Sequence, residues 1–328
     1  VNAIVTGLLS KEIGDDAQMS TRPHHNTRPG DTPPPDTRLG ADQLAALAAV
    51  VESGSFDAAA ERLHVTPSAV SQRIKALEQR VGQVLVIREK PCRVTSAGVP
   101  LLRLAAQTAL LEAEALAETA GGSVQRTRAA IAVNADSMAT WFAAVLARLP
   151  DVLLDVRIED QDHSARLLRE GTVMGAVTTE RTAVPGCRVH ALGVMRYIPV
   201  AGPGYVRDHL PGGFTREAVT QAPSMAWNRD DALQDMLVRK VFRRALTRPV
   251  HYVPTAEGFG AAVRAGLGWG MYPEQLAAPA LEDGSFVRIA DAHLDVPLYW
   301  QCWKLDSATV TAITGVVHAA AAVLRRPR

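Results

Sequence analysis

Two sets of side chains in this sequence have the types and spacing to do chemistry. The first is polar and cationic: Thr66, Ser68, Ser71, Gln72, Arg73 and Lys75, followed by Arg88 and Arg93. Short hydroxyl and amide groups hydrogen-bond to base edges, while guanidinium and ammonium groups pair with phosphates. The second set is spread over the later part of the chain: Asn134, Asp136 and Ser137; Glu159 and Asp160; Thr178; Trp227; and Thr255 with Glu257. The carboxylates of Asp136, Glu159 and Asp160 would suit a cation, and helix-start N–H groups near Ser137 or Thr255 would suit a carboxylate. A site offering both matches an amino acid with a basic side chain. Asp136 and Thr255 would serve equally as helix caps, and Glu159 and Asp160 as solvated surface, so charge alone leaves both readings open.

The polar set needs a helix to present it, and TPSAVSQRIKALEQRVG (66–82) provides one. Thr66 supplies a capping hydroxyl and Pro67 suits the first helical position. Ala69, Val70, Ile74, Leu77 and Val81 form one apolar stripe that turns inward, leaving Ser68, Ser71, Gln72, Arg73 and Lys75 outside. Upstream, Leu44, Leu47, Ala48 and Val51 make an apolar face closed by Ser53-Gly54-Ser55. Phe56, Ala59, Ala60 and Leu63 make a second short helix before a His64-Val65 turn. Together these form a helix-turn-helix pattern whose last helix enters the major groove. VLVIREKPCRVTSAG then alternates like a two-stranded ribbon with Arg88, Lys90 and Arg93 near its tip, a wing that would touch the DNA backbone. The whole chain is nearly neutral, at 35 Lys and Arg against 34 Asp and Glu, whereas residues 66–93 hold six Lys or Arg against two Glu. Double-stranded DNA is therefore met by a local patch and not by bulk charge.

The second set belongs at the ends of strands in an α/β region. Residues 97–120 first read as a long helix, with Leu101, Leu104, Thr108, Leu111 and Ala115 on a seam widened by Leu102, Ala105 and Leu116. Gly121-Gly122-Ser123 breaks it, which favours a linker and hinge (121–128) ahead of a second domain at 129–328. There IAVNA, VLLDVRIED and VMGAVTTE read as strands separated by helices, and strand–helix alternation continues to Gly270. The expected sheet is mostly parallel, with a final helix from about Asp306 to Arg325. Gly204 to Gly213 reads as an irregular connection. In such sheets ligands bind beyond the carboxyl ends of strands, which is where Asn134, Asp136, Ser137, Glu159, Asp160, Thr178, Trp227, Thr255 and Glu257 fall.

These motifs resemble a known family. Phe56-x-x-Ala59-Ala60 with Leu63, then Thr66-Pro-Ser-Ala-Val-Ser-Gln-Arg-Ile-x-x-Leu-Glu, then Val81-Gly82 with Leu85, Arg88 and Thr95-x-x-Gly98, are similar to the LysR-type transcriptional regulators. The resemblance runs from about Leu39 to the C-terminus. It implies a winged helix-turn-helix (39–96), a linker helix that pairs two subunits (97–120), and an effector domain of two Rossmann-like subdomains like those of periplasmic binding proteins. VNADSMATW, VRIEDQDHSARLLREGTVMGAV and LYWQCW further resemble the lysine- and arginine-responsive ArgP/LysG branch. That branch implies lysine, arginine or histidine as effector, activation of a basic amino acid exporter gene, and Asp136, Ser137, Glu159 and Asp160 as ligand contacts. Promoter DNA, a homodimer or tetramer, RNA polymerase and a cytoplasmic location follow from the same resemblance.

Other classes find less support. No GxSxG, HExxH or P-loop pattern is present, and Gly266-Leu-Gly268-Trp-Gly270 lacks dinucleotide spacing and reads as a turn into a buried strand. The histidines of the second domain are scattered, and Cys92, Cys187 and Cys302 show no metal-type spacing; neither a metal nor a cofactor is expected. Sparse cysteine fits a reducing compartment and incidental thiols. Residues 1–38 combine a short apolar run without a basic leader and a Pro- and Thr-rich stretch, which predicts a disordered extension and neither a signal peptide nor a membrane span. A solute-binding protein would match the second domain but leaves the helix-turn-helix unexplained.

Overall fold

The computed structural model describes residues 38–119, 126–149, 151–159 and 161–326. The expected N-terminal extension (but for Arg38), much of the expected hinge and Asp160 lie outside the described residues.

Three helices open the described chain: α1 (Ala41–Ser53), α2 (Phe56–Leu63) and α3 (Pro67–Val81). Each start and stop follows from local chemistry. Ser55 Oγ accepts from the Ala58 N–H and Thr66 Oγ1 from the Ala69 N–H, both at 3.2 Å. Pro67 sits in the first turn of α3, and Gly82, at φ +74°, ends it. Leu47, Val50, Ala59, Ala60, Val70, Ile74, Leu77 and Leu85 close one small core. The apolar face of α1 is wider than expected: Ala46, Ala49 and Val50 are buried while Ala48 and Val51 are half-buried, because α1 packs against α2, α3 and the linker helix together. Val81, expected inside, is 37% exposed at the C-terminal end of α3. The wing is β1 (Val86–Ile87) against β2 (Arg93–Val94), antiparallel, with Val86 opposite Val94.

The linker helix α4 (Val99–Thr119) carries Pro100 in its first turn. After it come β3 (Thr127–Val133), α5 (Ala135–Ser137), a π-helical turn over Met138–Phe142, α6 (Ala143–Leu146), β4 (Val152–Ile158), α7 (Gln161–Glu170) and β5 (Gly175–Thr178). The chain continues as β6 (Cys187–Ala201), α8 (Pro203–His209), α9 (Arg216–Gln221), β7 (Ser224–Ala226), α10 (Leu233–Phe242), β8 (Val250–Tyr252) and α11 (Ala256–Arg264). It closes with β9 (Gly270–Pro273), α12 (Glu274–Glu282), β10 (Val287–Arg288), β11 (Leu294–Trp303) and α13 (Ala308–Ala321).

The large sheet runs β10-β6-β11-β5-β3-β4, with β9 also on β6. β3 pairs parallel with β4 and β5, but every pairing made by β6 and β11 is antiparallel. The expectation of a mostly parallel sheet is corrected accordingly. A parallel neighbour needs a helical crossover, whereas β6 follows β5 and β11 follows β10 through loops with no helix between. These two long strands carry the chain from one subdomain to the other and back. Gly204 to Gly213 is also corrected: most of it is α8, started by Pro203 and held by buried Tyr205. The Gly266–Gly270 segment does lead into a buried strand; Trp269 is fully buried, and a Cβ on Gly270 would lie 2.6 Å from the Phe259 ring.

α4 is shared by both cores. Leu101 packs on the helix-turn-helix core and Leu110 joins the effector-domain core. Gly171, at φ +72°, lies so close beneath α4 that a Cβ there would be 2.5 Å from Arg103 Cα. Arg103 Nη1 donates to Pro185 O at 2.9 Å, just ahead of β6. Glu114 accepts from Ser307 Oγ at 2.7 Å and from the Thr309 N–H at 2.9 Å, just after β11. Burial alone would raise the Glu114 carboxyl, but the hydrogen bonds from Thr309, Ser307 and Ala308 outweigh it and hold it below its ordinary value. On the other side Leu104 and Leu111 are each 39% exposed and Leu116 65%.

Cys187 and Cys302, far apart in sequence, lie one register step apart on the adjoining strands β6 and β11, with Cys187 opposite Trp303 and Cys302 opposite Arg188. Burial, and then the neighbouring Cys302, push Cys187 up to about 11, and burial raises Cys302 too, so both remain thiols at neutral pH.

Candidate DNA-binding helix and effector cleft

α3 presents the expected polar set on its outer side. Thr66, Ser68, Gln72 and Lys75 are exposed and Ser71 and Arg73 half-buried. Thr66 Oγ1 lies 2.9 Å from Ser68 Oγ, so the cap and its neighbour hold each other. Arg73 Nη2 donates to Asp42 at 3.0 Å across to the start of α1. Arg88 lies over the Phe56 ring, 5.0 Å from its centroid, and 3.7 Å from Glu78, which braces the wing on the helices. Arg93 donates to Glu89 at 2.7 Å. Exposed pairs of this kind are worth about 0–1 kcal/mol, so a phosphate can replace the carboxylate.

In the effector domain a cavity of about 360 Å³ opens between the two subdomains, within the size range of small-molecule sites. Its first wall comes from the ends of β3 and β4: Asn134, Asp136 and Glu159. The opposite wall comes from the loop after β7 and the start of α10, including Trp227, Asp230 and Asp231. Phe259, Met271 and Tyr272 line it from α11 and β9, and Asp295, Val296 and Pro297 from the first turns of β11. Five carboxylates border this space, and no Lys, Arg or His does so among the described residues.

The carboxylates differ in how fully the protein already uses them. Asp295 is held by Arg196 through two hydrogen bonds of 2.7 and 2.8 Å, which, as the largest influence, lower its carboxyl. Asp231 accepts from the N–H groups of Trp227 at 2.9 Å and Leu233 at 3.1 Å, so it shapes the loop. Asp136 is different. It receives the Tyr197 hydroxyl at 2.6 Å, and its carboxyl is pushed up to about 6 by burial, against the pull of that hydroxyl and with a smaller push from Asp231. Among the described residues no cation pairs with it. Asn134 contributes a buried Nδ2 that has no hydrogen-bond partner, an open donor on the same wall.

Of the nine expected effector residues, Asn134, Asp136, Glu159 and Trp227 border the cavity. Four do not. Ser137 is fully buried behind the wall and its N–H is taken by Asn134 Oδ1 at 3.1 Å, so that helix-start N–H is closed to a ligand. The Thr178 hydroxyl is spent on the Glu180 turn and on Gln301, and its neighbour Thr179 lines the space instead. Thr255 caps α11 through the Gly258 N–H at 3.1 Å, leaving Ala256 to face inward, and Glu257 is turned to the outer surface. Asp160 lies outside the described residues.

Sequence reasoning missed Asp230, Asp231, Asp295, Tyr197 and Tyr272. The aspartates at 230 and 231 follow the Trp227 strand end within four residues and were open to the strand-end rule. Asp295 begins a strand and Tyr197 lies inside one, and the rule says nothing about either position.

A winged helix-turn-helix joined by a long helix to a two-subdomain, ligand-sized cleft defines a DNA-binding regulator with an effector domain. Residues 41–99 match the bacterial regulatory helix-turn-helix protein model of the lysR family, and residues 124–320 match the LysR substrate binding domain. The chain belongs to the LysR family of transcriptional regulators, in its LysG/ArgP branch. It is 75% identical over 292 residues to the HTH-type transcriptional regulator LysG of Mycobacterium tuberculosis, covering 89% of this chain and 96% of that protein. It is 41% identical over 289 residues to the lysine export transcriptional regulatory protein LysG of Corynebacterium glutamicum, covering 87% and 99%. A full-length LysG structure from C. glutamicum with bound effector Arg superposes with a TM-score of 0.74 at 39% identity, covering 88% of this chain and all of that one. Among the described residues, no helix is long and apolar enough to cross a membrane.

Proposed function

We propose that this chain is a cytoplasmic transcriptional regulator that activates a basic amino acid exporter gene when lysine, arginine or histidine enters its cleft. One observation carries the reading: the cavity wall holds Asp136, Glu159, Asp230, Asp231 and Asp295 and, among the described residues, no basic residue. Cationic side chains and an α-ammonium group are favoured there, and an acidic effector would be repelled. The open Asn134 Nδ2 is suited to the effector's α-carboxylate. The names of its relatives point the same way, one a lysine export regulator and one a LysG with Arg bound.

In this reading the action is binding throughout. Ligand bridges the two subdomains and stabilises a closed cleft, and differential affinity for the closed form is the whole driving force. The crossover strands β6 and β11 reach from the cleft to the places where Arg103 and Glu114 hold α4. A shift of one subdomain then reorients the linker helix and the DNA-binding domains it joins. RNA polymerase would respond to the changed geometry of the promoter complex, and the functional unit is a homodimer paired through α4, or a tetramer.

The deciding experiment is calorimetric titration of the full chain with lysine, arginine, histidine, a neutral amino acid and an aromatic acid. Basic amino acids alone are expected to bind. Binding of the aromatic acid alone, or of nothing, would remove the effector assignment and leave the DNA-binding regulator standing.

On the DNA side, Thr66, Ser68, Ser71, Gln72 and Arg73 are assigned to bases and the adjoining backbone, and Lys75, Arg88 and Arg93 to phosphates. Gln72→Ala is expected to lose on the order of 1–3 kcal/mol of discrimination between promoter and random duplex. Gel shifts at one fixed salt concentration measure this, and an unchanged preference would sink the assignment. Arg93→Ala should instead weaken both duplexes alike and flatten the salt dependence.

A further inference from the structure

We propose that Tyr197 is a positioning residue of the effector cleft: its phenol, reaching from the crossover strand β6, holds Asp136 towards the cavity and favours the anion that a cationic ligand needs, against the burial that keeps a proton there. The proposal rests on the basic-effector reading and deepens it.

The geometry carries the argument. Tyr197 is almost fully buried and donates to Asp136 Oδ2 at 2.6 Å, a short charge-assisted bond. Tyr197 sits inside β6 opposite Pro273 of β9 and Leu294 of β11, so its ring is held from both sides of the strand. Asp136 lies at the opposite end of the bond on the first turn after β3, where Asn134 caps the helix start. The hydroxyl therefore ties a cleft carboxylate to a strand that crosses between subdomains.

The groups around Asp136 explain why a donor is needed. Asp231 faces it from the loop after β7 and disfavours a negative charge there, and the Tyr272 hydroxyl on β9 is itself raised by burial and then by Asp136. Glu159, Asp230 and Asp295 border the same cavity from β4, the β7 loop and β11. The nearby cations are engaged elsewhere: Arg196 is bonded to Asp295, with His293 3.7 Å from the same carboxylate, and Arg264 lies over the Phe286 ring. Burial favours the neutral acid at Asp136, and the Tyr197 hydroxyl opposes it. An ammonium or guanidinium ligand requires the anion, so the proton still held at Asp136 leaves to solvent as the cation enters, and no other bond changes.

The test is calorimetry of the full-length wild type and Tyr197→Phe with arginine, from pH 5 to pH 8.5, in buffers of different ionisation enthalpy. Wild type is expected to release protons on binding near pH 6 and to lose about tenfold in affinity per pH unit below it. Removing the donor should move that midpoint up by about one to two pH units. Tyr197→Phe then binds roughly five- to fiftyfold more weakly than wild type at pH 6 and comes close to it at pH 8.5. A merely structural role would weaken binding equally at every pH and would overturn the proposal, as would identical midpoints in the two proteins. Thermal melts at both pH extremes show whether Tyr197→Phe is folded; if it is not, Tyr197→Trp and the wild-type proton count decide, and a wild type that binds with no proton release overturns the proposal by itself. Failure of wild type to bind arginine, lysine or histidine at any pH would instead remove the basic-effector reading, and this inference with it.

Discussion

Asp136→Asn is expected to weaken binding of a basic amino acid by about 2–5 kcal/mol while making the ligand-free effector domain more stable. The loss follows from removing a cleft carboxylate that no cation among the described residues already holds, and truncating one partner of a buried charged pair typically costs that much. The gain follows from the price of keeping a carboxylate ionised there. Its carboxyl rises from 3.8 to about 6, roughly two pKa units at about 1.4 kcal/mol each, or on the order of 2–3 kcal/mol. Because the folded-state value is raised, the folded chain binds the proton more tightly than the unfolded chain between pH 3.8 and about 6. Wild type thus loses stability as pH rises through that window, and the full deficit is present above it. Asparagine keeps an oxygen for the Tyr197 hydroxyl and carries no such cost. The stability advantage of the variant should be largest above about pH 6 and vanish towards pH 3.8. Denaturant or thermal melts at pH 4.5 and pH 7.5, beside arginine titrations, measure both effects. Unchanged arginine affinity would remove Asp136 from the site, and a pH-independent difference in stability would remove the linkage.

That opposition between stability and binding separates what could be read in the sequence from what could not. The helix-turn-helix was legible because each signal is local: Thr66 and Ser55 cap, Pro67 starts, Gly82 stops, and the apolar residues repeat at helical spacing. The first wall of the cleft was legible for a related reason, since Asn134, Asp136 and Glu159 directly follow strands that alternate with helices. The second half of the cleft depends on contacts between residues sixty or more positions apart. Tyr197 meets Asp136 only because β6 crosses between subdomains, and nothing in the spacing of either residue encodes that. The strand-end rule also selects residues and not side-chain directions. Ser137, Thr178 and Thr255 lie at the expected positions, but their polar groups satisfy backbone that would otherwise be unpaired, and their neighbours face the ligand space.

The same crossing explains why the sheet was misjudged and why that matters for signalling. β6 begins just after Pro185, which Arg103 holds, and β11 ends just before Ser307, which Glu114 holds. Both strands also touch the cleft region, through Tyr197 on β6 and through Asp295, Val296 and Pro297 on β11. A parallel βαβ arrangement would have placed helices between cleft and linker. Two antiparallel strands connect cleft and linker directly, each with a hydrogen bond to α4 beside one of its ends.

The outer face of α4 leads to the second large effect: Leu104→Glu with Leu111→Glu is expected to leave a folded monomer that has lost most of its operator affinity. Leu104, Thr108, Leu111 and Ala115 follow one another at intervals of four, three and four, the spacing of a coiled-coil seam. The inner face is already used, with Leu102, Ala105 and Leu110 buried in the chain's own cores. Two leucines left 39% exposed on a helix so fixed are therefore available to a second copy of α4. Burying each is worth about 1.5–3 kcal/mol at most, and the symmetric pair contributes four such side chains, so two glutamates per subunit remove that gain and add repulsion at the seam. Folding of the chain should be little affected, because neither leucine belongs to a buried cluster. The consequence for DNA is larger than the consequence for mass. A dimer holds its second recognition helix near the second half-site at high effective concentration, an advantage of about 10²–10⁴ in affinity that a monomer lacks. Sedimentation measures the first effect and gel shifts on a promoter fragment the second, with the arginine titration unchanged as the sign that the cleft is intact. A variant that sediments like wild type would show that the seam is not the subunit contact, and a monomer that still binds the promoter at wild-type affinity would show that the two recognition helices do not act as a pair.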